Sequence, residues 1–319
     1  MDSSPPEGTA PKVAVIVLNW NGLEDTAACL ESLAKVAYKP VEIIVVDNGS
    51  IDGSQRFLRE NYPWATLIET GQNLGFTGGN NVGIRHALER GVDYILLLNN
   101  DTVVAHDFLD ALVKTAVRRP DVGILNPKIY YFDPPEMIWY AGGELSLYRG
   151  ISKHFGFRQI DHGQFDSEQE VTFVTGCAFF IKREVVEAIG LLDDYFFCYS
   201  EDADWTIRTR KAGYKGFYVP SSRIWHKVGG SVQSAKSDFV MRMGTRNALY
   251  LVWKHTSKYQ FIVFLAVFAV NWLLRNTISC IIRGNYRVIP AMVDGVRAFI
   301  AETKQRRSIM QSKKSKHDK

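Results

Sequence analysis

From Lys12 onward the chain alternates short apolar runs rich in β-branched residues with longer stretches of helical spacing, and this alternation restricts the fold more than any other feature. The runs are VAVIVLN (13–19), VEIIVVD (41–47), ATLIET (65–70) and YILLLNN (94–100). The intervening spacing predicts helices over 23–37, 55–61, 80–90 and 107–118. Strands taking turns with helices predict an α/β fold built from βαβ units on a mostly parallel sheet. Runs this apolar belong at the covered centre of such a sheet. Polar side chains gather where the runs end: Asn19 and Asn21 after the first, Asp47 at the end of the second, Asn99, Asn100 and Asp101 at the fourth. In open α/β sheets ligands bind at that carboxyl edge, so the chemistry is expected on one side.

Several classes are excluded. The turn after the first strand reads NWNGLED, which is neither the GxGxxG of a dinucleotide-binding fold nor the glycine-rich basic loop of a nucleotidyltransferase, and no GxxxxGK[ST] loop occurs. Residues 1–240 hold 23 Lys and Arg against 31 Asp and Glu, whereas 241–319 hold 15 against 3. An acidic body is a poor partner for nucleic acid, and a basic tail interleaved with aromatics suits an anionic lipid surface. Cys29, Cys177, Cys198 and Cys280 lie far apart with no metal-finger spacing, the pattern of free thiols in a reducing compartment. The opening MDSSPPEGTAP lacks the n- and h-regions of a secretory signal, so 1–11 is expected to be a disordered lead-in and the body cytoplasmic.

No linker interrupts 12–230, and one domain is expected over 12–240. Residues 241–300 are expected to form hydrophobic and amphipathic helices, followed by a basic tail over 301–319. FIVFLAVFAVNWLL (261–274) is borderline in length for a membrane span. Asn271, Arg275, Ser279 and Arg283 recur every four residues and argue for a helix lying in the interface, peripheral to the inner face of the membrane. Val288, Met292, Val293, Val296 and Ile300 oppose Arg287, Asp294 and Arg297 in a second such stretch, with Pro290 breaking its start. A helical hairpin packed on the body or on a second copy of the chain stays open.

Individual residues are ambiguous on their own. Asp101 at a strand end suits Mg²⁺ or Mn²⁺, or caps the next helix. SEDADW (200–205) sets Glu201, Asp202 and Asp204 together, as a general base with its neighbours or as an acidic helix start. Trp20 alone reads as a core aromatic, the glycines between Asn73 and Asn81 as a turn, and His226 as structural.

Taken in order, VIVLNWNG, VVDNGSIDGS, NLGFTGGNNVGI, LLLNNDT, VTGCAFFIKREV, FFCYSEDADWTIRTRKAGY and IWHKVGG resemble the family-2 inverting glycosyltransferases of GT-A fold, most closely their rhamnosyltransferase and galactofuranosyltransferase branch. The resemblance covers 12–230. It implies a Rossmann-like nucleotide-binding half and a mixed acceptor half, to which the tail's own pattern adds a membrane-associating helical appendage. It implies that Trp20 stacks on the donor base, Asp47 accepts a base N–H, and Asn19, Asn21, Asn73, Gly75, Asn80, Asn99 and Asn100 line the nucleotide-sugar site. Gly75, Gly78 and Gly79 would let backbone approach the diphosphate. Asp101 matches the last carboxylate of the family's DxD metal motif, which here reads Asn99-Asn100-Asp101, and His226 matches a histidine completing the metal site. Asp202 matches the catalytic base, with Thr175, Gly176, Glu201, Asp204 and Trp225 on the acceptor side. The implied activity is transfer of a sugar, rhamnose from dTDP-rhamnose first and a UDP-sugar second, to a hydroxyl of a lipid-linked or polysaccharide acceptor. The rival reading is a non-catalytic nucleotide-sugar-binding or scaffold protein.

Overall fold

The computed structural model describes residues 10–228, 238–270 and 288–317, with Ile278, Ile281, Ile282 and Tyr286 between the last two. The chain divides into two units, one built from 10–144 and 152–228, the other from 145–151 and the residues beyond 237.

The first unit opens with the alternation expected: β1 (Val13–Asn19), α1 (Leu23–Leu33), β2 (Val41–Asp47), α2 (Ser54–Asn61), β3 (Thr66–Glu69), α3 (Gly75–Glu89) and β4 (Tyr94–Asn99). β5 (Thr102–Val104), α4 (Phe108–Arg118), β6 (Val122–Tyr131) and β7 (Ile138–Tyr140) follow. β8 (Gly143–Ser146) and β9 (Ile151–His154) pair as a separate ribbon. The unit closes with β10 (Gln169–Val171), β11 (Ala178–Lys182), α5 (Arg183–Ile189), α6 (Glu201–Lys211) and β12 (Lys215–His226). The main sheet runs β10-β12-β6-β11-β4-β1-β2-β3, with β5 added on β12 and β7 on β6.

Parallel pairing joins β3, β2, β1 and β4, and the buried runs Val13–Val17, Ile43–Val46 and Ile95–Leu98 form its core. β11 then enters antiparallel between β4 and β6. The sheet is therefore mixed, its parallel half holding the first four strands. Register sets Asn19 beside Asp47 and Leu18 beside Asn99, so the polar strand ends meet along one edge.

The third helix starts at Gly75, five residues before its predicted start. Glycine lowers helix propensity, but packing decides here. A Cβ on Gly79 would stand 2.4 Å from Leu18 Cδ1, and one on Gly83 2.6 Å from Ile16 Cγ2. These glycines bring α3 down onto β1, and Gly79 is turned to the sheet rather than to a ligand. α1 is also shorter than its predicted span, ending at Leu33.

On β6, Lys128 is 1% exposed and donates through Nζ to Asp161 Oδ2 at 2.8 Å and to Asp166. Tyr130 donates to the same Asp161 oxygen at 2.6 Å. The buried ammonium thus anchors the 158–168 loop. Removing one partner of a buried pair leaves the other uncompensated, so Lys128→Met is expected to cost about 3 kcal/mol in urea unfolding.

The second unit contains α7 (Asp238–His255), α8 (Lys258–Phe268) and α9 (Val288–His317). Ser257 and Gln260 form a reciprocal capping box at the start of α8. Gly295 lets α9 approach α7, since a Cβ there would stand 2.5 Å from Arg242 O. Arg246 and Glu302 pair across the same contact at 3.4 Å. Pro290 lies in the first turn of α9 and does not break it, because the first N–H groups of a helix need no intrahelical acceptor. The basic tail continues this helix to His317. Among the described residues no helix is long and apolar enough to cross a membrane. The stripe of Asn271, Arg275, Ser279 and Arg283 lies outside the described residues, as do Cys280 and the first nine residues.

Candidate active site

At the ends of β1 and β2 the polar side chains bind one another. Asn19 is fully buried; its Nδ2 donates to Asp47 Oδ2 at 2.8 Å and to Ser50 Oγ at 3.1 Å, and its Oδ1 accepts from Thr26 at 2.8 Å. Asp47, equally buried, also accepts through Oδ1 from Ser50 N at 3.0 Å and from Gln55 Nε2 at 2.8 Å. These contacts staple the 19–22 and 48–55 loops together at the edge where the resemblance puts the donor. Asn21 continues the staple, accepting from Ile51 N at 2.7 Å through Oδ1. Trp20, expected in the core on its own merits, is 55% exposed beside this staple, as the resemblance implies for a stacking ring.

Asn48, which the sequence reading passed over, organises the next loop. Its Nδ2 donates to Asn73 Oδ1 and to Gly75 O, both at 3.1 Å, and its Oδ1 accepts from Leu74 N at 3.0 Å. Asn73 itself is exposed, whereas Asn80 is buried and bonds back to Phe76 O of its own helix at 2.9 Å.

At the end of β4, Asn99 and Asn100 are half-buried, and Asn100 donates to Thr26 Oγ1 at 2.9 Å. Asp101 follows, half-buried, with its Oδ1 3.1 Å from His226 Nε2 at the end of β12. The pairing of β5 with β12 sets these residues side by side, with Thr102 opposite His226. Trp139 packs edge-on against the imidazole at 4.8 Å. Burial pushes His226 down, but the adjoining Cys177 and the Asp101 carboxylate outweigh it and raise the ring to about 10. Once the ring has given up its proton, one carboxylate oxygen and one imidazole nitrogen at this spacing fit Mg²⁺ or Mn²⁺, whose remaining ligands would be phosphate oxygens and water. Among the described residues no group of three or more His, Cys, Asp and Glu gathers for a metal, so these two are the protein donors the fold brings together.

Segment 175–177 joins this pair to the carboxylates of α6. Asn126, another residue the sequence reading missed, holds Thr175 by accepting from its N at 2.7 Å and donating to its O at 3.2 Å. Gly176 N donates to Asp202 Oδ2 at 3.0 Å, and Cys177 O accepts from Asn99 N at 2.9 Å. The base candidate and the metal-ligand candidates therefore share one edge. Asp202 is half-buried, with Ala203 N donating to its Oδ1 at 2.7 Å. Burial raises its pKa above the ordinary carboxylate value, and these N–H groups only partly oppose it.

Glu201 is 7% exposed with Oε2 lacking a hydrogen-bond partner, and burial, then the charges of Asp202 and Asp204, push its carboxyl well above the ordinary range. A carboxyl raised on folding gives stability that is present below its unfolded pKa and lost as pH climbs from there. Glu201→Gln should therefore melt above the parent protein at about pH 8, the gap closing near pH 4.

Two residues expected on the acceptor side make contacts within the protein. Asp204 is fully buried and accepts from Arg208 Nε at 2.8 Å, one turn along α6. Trp225 precedes His226 on β12, and successive strand residues face opposite sides. It stacks on Tyr130 at 6.0 Å and donates to Pro135 O.

Residues 10–248 match the sequence profile described as glycosyltransferase like family 2. The N-acetylglucosaminyl-diphospho-decaprenol L-rhamnosyltransferase of Mycobacterium tuberculosis is 27% identical over 269 residues, covering 78% of this chain and 85% of its own length. The dTDP-rhamnosyl transferase RfbF of Shigella flexneri is 25% identical over 166 residues, 51% of this chain and 52% of its own. In fold, the chain is similar to the mannosyltransferase PcManGT from Pyrobaculum calidifontis, solved with GDP-Man and Mn²⁺, with a TM-score of 0.56 at 16% identity over 94% of this chain and 90% of that one. The profile runs from β1 through the 175–177 segment to His226, and the chain belongs to glycosyltransferase family 2.

Proposed function

We propose that this chain is an inverting, metal-dependent glycosyltransferase that moves rhamnose from dTDP-rhamnose, or failing that the sugar of a UDP-sugar, to a hydroxyl of a lipid-linked or polysaccharide acceptor in surface-glycan assembly. The observation that carries the reading is the 175–177 segment, which brings a half-buried Asp202 to the edge that holds the Asp101–His226 pair. Trp20 offers the donor base an open ring, and Asn73 and Asn99 border the sugar-nucleotide path. Asp202 accepts the proton of the acceptor hydroxyl as that oxygen attacks the anomeric carbon opposite the departing diphosphate. Gly176 N–H fixes the direction of its carboxylate, leaving lone pairs for that proton. A divalent ion held by Asp101 and His226 would supply positive charge against the leaving diphosphate.

The test is mass spectrometry of purified protein with dTDP- and UDP-sugars, Mg²⁺ or Mn²⁺ and a lipid-extract acceptor. Metal-dependent transfer with release of the nucleoside diphosphate supports the reading. The motif Asn99-Asn100-Asp101, short of a carboxylate, favours the binding-protein alternative if a donor binds and no panel acceptor is glycosylated.

A lipid-linked acceptor fits the surface of the second unit. On α8, Tyr259, Ile262 and Val263 are exposed among the described residues, and 241–319 is strongly basic. An apolar face bordered by cations suits the inner surface of an anionic bilayer. Ile262→Asp with Val263→Asp is expected to reduce co-flotation with phosphatidylglycerol vesicles while leaving the melting temperature unchanged. Flotation equal to the parent would remove the membrane role from this helix.

A further inference from the structure

Four residues before Glu201 the chain makes a turn that L-residues rarely adopt. Phe197 sits at φ 58° and ψ −60°, and Cys198 N bonds back to Phe196 O at 2.6 Å. This is the positive-φ γ-turn, rare and strained because the side chain crowds the backbone. Tyr199 and Ser200 follow, each at φ 70°. Strain of this kind persists only where the surroundings over-determine it, and it gathers where geometry matters for function.

The surroundings here belong to α3. Phe197 O accepts from Thr77 N at 3.1 Å and from Thr77 Oγ1 at 3.4 Å. One turn along the same face, Asn81 donates to Leu192 O at 2.9 Å and Asp194 Oδ1 at 2.8 Å, and accepts from Leu192 N at 3.0 Å. The Phe197 ring lies directly on Gly75, where a Cβ would stand 2.5 Å from its Cδ2. Gly75 has φ +75° and is itself held by Asn73 and Asn48, which follows Asp47 at the end of β2. A continuous path of contacts therefore runs from the nucleotide edge of the sheet, through the start of α3, to the turn that leads into Asp202.

We propose that Phe197 is a positioning residue, its strained turn being held by the start of α3 so that the geometry of the donor loop 73–77 sets the placement of Asp202. The proposal rests on the glycosyl-transfer reading for its effect on rate, but not for its structural content. Asp202 sits on the first turn of α6, and a displacement of the incoming chain moves its carboxylate relative to Gly176. A shift of about 1 Å at a reacting group costs as much as 10²-fold in rate without touching the ligand's own contacts.

The test is a double-mutant cycle of Gly75→Ala and Phe197→Gly. Glycine at 197 accepts the turn without strain but removes the ring; alanine at 75 drives a methyl into that ring. Each single variant is expected to lose about tenfold or more in kcat, and Phe197→Gly, which lies outside the donor loop, to keep its dTDP affinity by calorimetry within about threefold. The double variant is expected to lose less than the product of the two single losses, since the ring is one of the things the methyl meets, while Phe197 O at 2.7 Å and the positive φ of Gly75 remain. Hydrogen exchange over 197–203 reads the same coupling without turnover: faster in Gly75→Ala, and in the double variant faster by less than the two single effects combined. Additive losses, or unchanged exchange in Gly75→Ala, would overturn the proposal. If the parent protein shows no transfer, the function reading fails and the exchange result alone decides the coupling.

Discussion

Replacing Asp202 by asparagine is expected to lower kcat by about 10²- to 10⁴-fold while the protein still binds its sugar nucleotide. The Gly176 and Ala203 N–H groups bond separate carboxylate oxygens, so the amide keeps an acceptor for one of them, and it cannot take a proton from an attacking hydroxyl. The same residue sets the pH dependence. Burial raises its carboxyl above the ordinary value, and the base works ionised. The rate should therefore fall as pH drops, and begin to fall at a higher pH than an exposed aspartate would give. Stability moves the other way: a raised carboxyl weakens the folded state as pH rises above its unfolded value, so the stability of Asp202→Asn relative to the parent should shift in the variant's favour between about pH 4 and about pH 8. Steady-state rates beside melting curves across pH separate the two effects. An asparagine variant that turns over normally removes Asp202 from the mechanism.

The second large effect belongs to the pair at the other end of the 175–177 segment. Asp101→Asn and His226→Ala are each expected to lower kcat/KM by about 10²- to 10³-fold, since a metal set against a leaving diphosphate contributes several kcal/mol to the barrier. Excess EDTA should reduce the parent protein to a similar level, and added Mn²⁺ or Mg²⁺ should restore it. Full activity in EDTA would leave the pair as a structural ion pair between β12 and the end of β4. The two variants also differ informatively. Asparagine at 101 keeps an oxygen and should respond to high Mn²⁺, whereas alanine at 226 removes the nitrogen outright.

Much of the parallel half was readable because its strands are short, apolar and followed by polar residues, and because helices of ordinary spacing separate them. The start of α3 was not, since GFTGGNNVG reads as a loop until the sheet beneath it is known; Gly79 and Gly83 are there for Leu18 and Ile16. The inward turning of Asn19 and Asp47 was hidden for a related reason, as strand register is a property of the assembled sheet. Asp204 was readable in principle: an acid four residues before Arg208 on a helix is a common ion pair, and here the pair is made. Asn126 and Lys128 left a fainter trace, as polar residues inside the otherwise apolar strand β6. Nothing in FFCYSED announces the γ-turn at Phe197, because a positive φ at phenylalanine follows from its neighbours and not from its own preference.

The antiparallel entry of β11 and the return of β12 have a consequence for how the protein is made. Asp101 leaves the ribosome long before His226, about 125 residues earlier, which at typical synthesis rates is on the order of 10 s. Through that interval the parallel half can fold with its nucleotide loops in place, while Asp101 waits without its imidazole and Asp202 has only just emerged. A nascent chain at this stage carries Asp101 but not His226, so the Asp101–His226 pair, and any chemistry that depends on it, waits until the last strand has docked.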